Sequence, residues 1–253
     1  MRQLLLVATL CGCAPLLATA AHAAPTHSGP TGIVGTPTAD VVGVRLYDVA
    51  VDYVEWAGYV DSWPMRVATG VSDKVEVSLG YAKWENSGSM KIVPLGVKAV
   101  AVPESQTSPA VALGAGYGKL KDSAISMKIM TLYAVATKTL SKAKDEYYDE
   151  GGTKGALRGS LGVMSNRYRA NGSSRTCTEP FANLEYIAPD GNTTLAFEYK
   201  TEEGSLDPIS SFVVRHVLTP KTWLQVGWTN VLYSTCRSAR PRIPDWPRLP
   251  LGA

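Results

Sequence analysis

The sequence predicts an all-β protein, an antiparallel up-and-down transmembrane β-barrel of about 10–12 strands. Three observations support this prediction: apolar and polar residues alternate along most of the chain, the alternating runs are long, and a segment typical of an export signal precedes them. The stretch from Asp207 to Asn230 shows the alternation best, with two runs on either side of a turn at Thr219–Lys221. Each run has about 9–10 residues, the length of a tilted strand that crosses a bilayer.

The composition agrees with a single β domain. The chain has 253 residues, of which 45% are hydrophobic and 19% charged, and it contains 23 glycines and 12 tyrosines but only 3 phenylalanines. Glycine and tyrosine suit turns, sheets and membrane interfaces better than a helical bundle. The net charge of +3 is too small to indicate a nucleic-acid partner.

Residues 1–23 are predicted to be a cleaved signal peptide. Arg2 gives the charged start, residues 4–17 form the apolar core, and Ala21–Ala23 fits a small-residue cleavage site. A lipoprotein signal is an alternative, because residues 10–13 loosely resemble a lipobox, but the apolar core continues beyond Cys13. We therefore expect export to the outer membrane of a Gram-negative-type envelope.

Three further regions follow the signal peptide. Residues 24–46 are rich in Pro, Gly, Thr and Ser and are expected to form an irregular lead-in. Residues 47–233 are the predicted barrel domain, and residues 234–253, without alternation, are expected to be a disordered tail. Because the tail lacks a terminal aromatic strand, the barrel is expected to be incomplete at its C-terminus or to carry an atypical extension. Cys177 and Cys236 either pair in an oxidising compartment or remain free thiols.

Turn residues divide the barrel domain into runs that we interpret as strands. Ile125 to Lys138 lacks a clear polar face, so periodicity alone also allows a helix, although its Thr, Tyr and Val residues favour a strand. The polar stretch 166–178 is expected to be a loop, and Pro189–Gly191 a tight turn. Before the final hairpin the predicted strands cover residues 47–55, 64–69, 74–82, 91–102, 110–117, 125–138, 157–163, 181–188 and 195–200.

The polar faces of these runs carry charged residues, which are predicted to line a wet lumen. Ionised groups cannot enter a dry core without a large desolvation cost. The lumen-facing candidates are Asp48, Asp52, Lys74, Glu76, Arg158, Glu198, Lys200 and Arg215.

The apolar faces carry Val, Leu and Phe, with Tyr or Trp near the strand ends, where amphipathic rings reach the headgroup level of a bilayer. The candidates for this aromatic belt are Tyr47, Tyr53, Tyr81, Trp84, Tyr117, Tyr199 and Trp228. Alternation alone does not exclude the alternative, a secreted soluble β-sandwich or barrel that packs the same apolar faces inward and acts as a binding protein.

Several segments resemble the exopolysaccharide-associated outer-membrane β-barrels of the YjbH type. They are Gly32–Asp40 (GIVGTPTAD), Val75–Tyr81 (VEVSLGY), Pro109–Gly114 (PAVALG) and Leu132–Lys138 (LYAVATK). The resemblance implies outer-membrane lipid as surroundings, a part in polysaccharide secretion or envelope structure, and polysaccharide or envelope export proteins as partners. It supplies no catalytic residues.

Residues for catalysis are not evident, so the sequence predicts a non-enzymatic protein without cofactor or metal. His216 stands alone on an apolar face, and the sequence holds no histidine cluster or Cys-x-x-Cys pair. Asp48 and Asp52 share a face, but their separation of about 13 Å along a strand is too large for paired acid–base work. The enzymatic alternative is an outer-membrane barrel hydrolase, since some outer-membrane β-barrels are enzymes.

Overall fold

The computed structural model describes residues 7–12, 24–26, 30–56, 60–85, 89–121, 126–141, 155–201, 208–219 and 222–229. All regular secondary structure in these ranges is β-strand. The strands are β1 (Val7–Gly12), β2 (Ala24–Pro25), β3 (Thr31–Gly32), β4 (Tyr47–Trp56), β5 (Val60–Ser62), β6 (Met65–Ser72), β7 (Val75–Glu85), β8 (Ser89–Val102), β9 (Ala110–Lys121), β10 (Ser126–Ser141), β11 (Ala156–Ala170), β12 (Ser173–Ile187), β13 (Thr193–Lys200), β14 (Ile209–Thr219) and β15 (Thr222–Thr229).

One large sheet contains the strands from β4 to β15. Apart from the three-residue β5, which pairs with β4 and β7, each strand pairs antiparallel with the next along the chain. These 11 strands form an up-and-down meander. The predicted all-β, antiparallel, up-and-down fold is therefore confirmed, and the helical alternative for residues 125–138 is wrong, because residues 126–138 lie in β10.

The polar stretch 166–178 is not the loop that the sequence predicts. β11 and β12 continue through it and reverse at Asn171 and Gly172, whose φ angles are 48° and 79°. Two successive residues with positive φ match the turn of a two-residue hairpin, for which Asn-Gly is the preferred sequence. The polarity of the stretch therefore reflects strand ends that extend beyond the apolar part of the sheet.

Strand β1 lies within the predicted signal peptide. It pairs antiparallel with β15 through residues 222–227 and antiparallel with β4 through residues 50–54. Without β1, the sheet would have β4 and β15 at its two ends. No helix in the described ranges is long and apolar enough to cross a membrane.

The two faces of the sheet carry different side chains, and large apolar residues are exposed on the face that we call the outer face. Val77, Leu79, Phe197 and Val226 do not meet in a closed interior: they are 38%, 45%, 46% and 39% exposed on the outer face. Many other large apolar side chains share this outer face. They include Tyr81, Val93, Leu95, Val97, Leu113, Tyr117, Met130, Leu132, Leu161, Val163, Leu184, Tyr186, Leu195, Tyr199 and Phe212.

The inner face is polar and buried, the reverse of a soluble β-sandwich. Two glycines on this face make room for aromatic rings: a methyl group at Gly114 would meet the ring of Tyr133, and one at Gly162 would meet the ring of Phe181. The buried ionisable residues of the inner face are Asp48, Asp52, Arg66, Glu76, Lys98, Glu179, Glu185, Glu198 and Arg215.

Candidate functional site

The inner face of the sheet is covered by residues 30–42, which we call the inner segment. Its residues are buried or half-buried, although the sequence predicts only an irregular lead-in here. The segment folds back on itself, because the amide of Thr38 donates to the carbonyl of Thr31 at 3.2 Å and the amide of Ile33 to the carbonyl of Thr36 at 3.1 Å. This reversal aims three consecutive backbone N–H groups at one wall of the sheet.

Glu198 on β13 receives those N–H groups. The amides of Val34, Gly35 and Thr36 donate to its carboxylate at 3.2, 3.1 and 3.2 Å. The hydroxyls of Thr36 and Ser211 add donors at 2.8 and 2.7 Å. Successive N–H groups in a turn form a concave anion site, and here the anion is a side chain of the wall. Five donors therefore compensate a carboxylate that is almost completely buried.

A second anchor lies on β7 and β8, where Glu76 and Lys98 are fully buried and 3.2 Å apart. Glu76 accepts from the amide and hydroxyl of Thr31 at 2.8 and 2.9 Å and from the amide of Val42 at 3.0 Å. The ammonium of Lys98 donates to the carbonyls of Thr31 and Thr38 at 3.0 and 3.1 Å. The ion pair thus holds both ends of the inner segment's reversal.

A third anchor joins the inner segment to β10 and β11. Arg158 donates to the carboxylate of Asp40 at 2.7 Å, and its other terminal nitrogen lies 3.7 Å from Glu185. The amide of Ala39 donates to the hydroxyl of Thr137 at 2.9 Å. Burial alone would raise the pKa of the Asp40 carboxyl, but the charge and hydrogen bond of Arg158, with the charge of Lys98, lower it below 3.8.

The Asp40 anchor is expected to weaken in acid. Since the pKa of Asp40 is lower in the folded than in the unfolded protein, its stabilisation is complete above about pH 4 and is lost as the pH falls through the folded pKa. We expect Asp40→Asn to lower the unfolding free energy by about 1.5–3 kcal/mol at pH 7, the range of a hydrogen bond to a charged group.

Urea titrations of Asp40→Asn and the unchanged protein at pH 7 and pH 3 measure this effect. The difference in unfolding free energy should shrink at pH 3. A difference of the same size at both pH values would exclude Asp40 as a titrating anchor. Asp73→Asn is the matched control, because Asp73 lies exposed in the turn before β7.

Apolar contacts complete the packing of the inner segment. Ile33 and Val34 pack with Ala196 and Val213 on β13 and β14. On the opposite side Ala39 packs in a cluster of wall side chains. The cluster comprises Ala112, Tyr133, Val135, Met164 and Phe181.

Most of the predicted lumen-facing residues lie on the inner face. Asp48, Asp52, Glu76, Glu198 and Arg215 are buried there, and Arg158 and Lys200 have largely buried side chains. The predicted placement of Lys74 in a strand is wrong: the chain reverses at Asp73 and Lys74, so Lys74 is an exposed turn residue.

The other inner charges are also paired. Asp52 accepts from Arg66, and Lys200 lies 2.7 Å from Glu179. Arg215 donates to Gln225 at 2.9 Å and to the carbonyl of Gly32, and its guanidinium lies 5.3 Å from the centre of the Trp223 ring.

The predicted belt aromatics lie on the outer face where the structure describes them. Tyr47, Tyr81, Tyr117 and Tyr199 are exposed. Tyr53 and Trp228 are half-buried, and the Tyr53 ring lies 5.0 Å from that of Trp63. The side chain of Trp84, the remaining candidate, lies outside the described part of the chain.

The position of the inner segment and four of the buried ionisable residues are not among the sequence-based predictions. Lys98 carried a signal, because it is the one charge in the apolar run 93–102. Glu179 lies between the predicted loop 166–178 and the predicted strand 181–188, so the sequence assigns it to neither face. Arg66 and Glu185 follow the inward alternation of β6 and β12, where a stricter use of the period would have found them.

The described residues offer little for catalysis or metal binding. No group of three or more His, Cys, Asp or Glu residues among them is placed to hold a metal. His216 shares a hydrogen bond of 3.0 Å with the hydroxyl of Thr193 near a turn. Cys177 is buried and disulfide-bonded, and the predicted tail containing Cys236 lies outside the described ranges.

No protein-family model, curated protein or solved structure matches this chain significantly. The resemblance to the YjbH-type barrels therefore stays a prediction from sequence.

Proposed function

We propose that this chain is a non-enzymatic outer-membrane β-barrel protein whose lumen is filled by its own inner segment. The observation that carries the proposal is the distribution of side chains: large apolar residues are exposed on the outer face, and charged residues are buried on the inner face. Lipid tails solvate the first kind of surface, and a polar lumen accommodates the second. A soluble binding protein would have the opposite arrangement.

The pairing of the strands supports closure of the sheet into a barrel. β1 pairs on one side with β15 and on the other with β4, the two ends of the meander. The inner segment contacts walls that are far apart in the strand order: β7 and β8 through Glu76 and Lys98, β11 through Arg158, and β13 through Glu198. A flat sheet does not bring these strands around one short segment.

Export of the chain is supported by the signal-like sequence of residues 1–23 and by the disulfide of Cys177, because disulfides persist in oxidising compartments. A filled lumen fits a structural or gated role better than that of an open pore. A part in polysaccharide secretion rests on the sequence resemblance, and passage of a polysaccharide would require the inner segment to leave its three anchors.

Cell fractionation and heat-modifiability test the proposal. We expect the protein in the outer-membrane fraction, solubilised only by detergent, with unboiled protein migrating differently from boiled protein on a denaturing gel. In planar bilayers we expect mostly closed traces. Recovery as a water-soluble periplasmic protein without a heat-dependent shift would overturn the proposal in favour of the secreted soluble alternative.

A further inference from the structure

Six cations lie on the outer face of β8 to β11, close to one rim of the sheet. We call this rim, at which β7, β9 and β11 end, the far rim, and these six residues the basic ladder. All are exposed except Lys119, which is half-buried. The basic ladder consists of Lys91, Lys119, Lys121, Lys128, Arg167 and Arg169.

The strand register places these cations side by side. Lys91 is directly opposite Lys121 on β9, and Lys128 is opposite Lys119 on one side and Arg169 on the other. Like charges in directly opposed positions destabilise a sheet. None of the six forms an ion pair within the described part of the chain, and the connections 86–88 and 122–125 beside them contain one acidic residue, Asp122. An external anion would remove this repulsion.

The position of the basic ladder relative to the apolar surface indicates which kind of anion binds to it. On the same outer face, each of three ladder cations lies two residues nearer the far rim than an exposed apolar residue of its own strand. The pairs are Lys91 beyond Val93, Lys119 beyond Tyr117 and Lys128 beyond Met130. Two residues along a strand cover about 7 Å. The charges therefore begin one side-chain row beyond the apolar surface, where the phosphates of a lipid leaflet meet its hydrocarbon.

Among the described residues, the other end of the same strands lacks such a row. Lys138 lies near the rim where β11 begins, but it pairs with Glu104 at 3.8 Å and donates to the carbonyls of Gln106 and Ser108. The charge of Lys138 is thus compensated by groups of the protein itself. Within the described part of the chain, the row of cations without ion pairs is therefore a property of one rim and not of the outer surface in general.

We propose that the basic ladder binds the phosphate groups of anionic lipids in the leaflet at the far rim. The proposal rests on the membrane barrel proposed above. The spacing of opposed residues, about 4.5–5.5 Å, lets one phosphate contact cations from two strands. Lysine and arginine both bind phosphate oxygens with charge-assisted hydrogen bonds.

The test uses full-length protein in a non-ionic detergent and measures binding of fluorescent phosphatidylglycerol and of fluorescent lipid A, with phosphatidylcholine as the neutral lipid. The variant is Lys119→Gln with Lys121→Gln and Lys128→Gln. The control carries Lys142→Gln, Lys144→Gln and Lys154→Gln, which remove the same charge from the connection at the other end of β10 and β11.

We expect the ladder variant to bind at least one anionic lipid more weakly by a factor of about ten or more, since each cation near an anionic surface contributes a few-fold. The control should bind as the unchanged protein does, and added salt should weaken binding. Stronger binding of lipid A than of phosphatidylglycerol would place the far rim in a leaflet that contains lipid A.

Equal affinities of the three proteins, or equal losses in the ladder and control variants, would overturn the inference. So would equally tight binding of soluble polyphosphate, which would assign the surface to a soluble anion. The heat-dependent gel shift is recorded for every variant. A protein that keeps this shift but shows no ladder effect refutes the lipid site alone, whereas a water-soluble protein without the shift refutes the membrane barrel.

Discussion

Replacing Lys98 by methionine is expected to lower the free energy of unfolding by about 3–5 kcal/mol, the usual cost of removing one partner from a buried ion pair. The variant leaves the carboxylate of Glu76 buried without its cation, and the carbonyls of Thr31 and Thr38 lose a donor. Urea titration in detergent, followed by tryptophan fluorescence, measures the loss. The matched control is Lys74→Met, at an exposed turn position.

A double-mutant cycle separates the ion pair from the packing of the lysine chain. If Lys98→Met and Glu76→Gln are combined, the loss should be smaller than the sum of the single losses, because no unpaired charge remains. Some loss should persist, since Glu76 also accepts hydrogen bonds from Thr31 and Val42. Additive losses, or a Lys98→Met protein within about 0.5 kcal/mol of the control, would show that the pair does not hold the inner segment.

Replacing Glu198 by glutamine is expected to loosen the reversal of the inner segment. The amide side chain has one acceptor oxygen and brings its own donors towards the N–H groups of Val34, Gly35 and Thr36. Losing part of this charged hydrogen bonding, at about 1.5–3 kcal/mol per bond, should speed amide hydrogen exchange in residues 33–37 by about 100-fold. Exchange read by mass spectrometry on peptides covering these residues gives the measurement.

The Glu198 variant also tests whether the inner segment closes the lumen of the proposed barrel. Planar bilayers with Glu198→Gln should show more frequent open events than bilayers with the unchanged protein. Asp73→Asn, the same chemical change in an exposed turn, should alter neither exchange nor conductance. Unchanged exchange at residues 33–37 would mean that Glu198 does not hold the segment, and faster exchange without new conductance would mean that the segment is not the barrier.

The strands and the orientation of their side chains could be predicted because the alternation of residues along each strand reflects the different surroundings of its two faces. Val75 to Tyr81 alternates with period two, and the structure turns Val77 and Leu79 outward and Glu76 and Ser78 inward. The prediction that Glu76, Glu198 and Arg215 share one face needed only this local period and the desolvation cost of ions. The assignment of the strands and the assignment of their faces do not depend on contacts between residues that are distant in the sequence.

The inner segment could not be predicted, because its structure is determined by partners that are remote in the chain. Val34 is 164 residues from Glu198, and Ala39 is 98 residues from Thr137. Proline, glycine and threonine in residues 30–42 disfavour long strands and helices but do not reveal where an irregular segment lies. The Asn171 and Gly172 turn was missed for another reason: polar strand ends were interpreted as a loop.

The two neighbours of β1 run in the same direction, since each is antiparallel to it. If cleavage removes the first 23 residues, the meander in the described part of the chain keeps 11 strands, an odd number. Its first and last strands could then join only through a parallel seam with slanted hydrogen bonds, or through another strand that runs opposite to both. If residues 1–23 are cleaved, the wall of the proposed barrel would lose β1, and its closing seam would differ between the precursor and the mature chain.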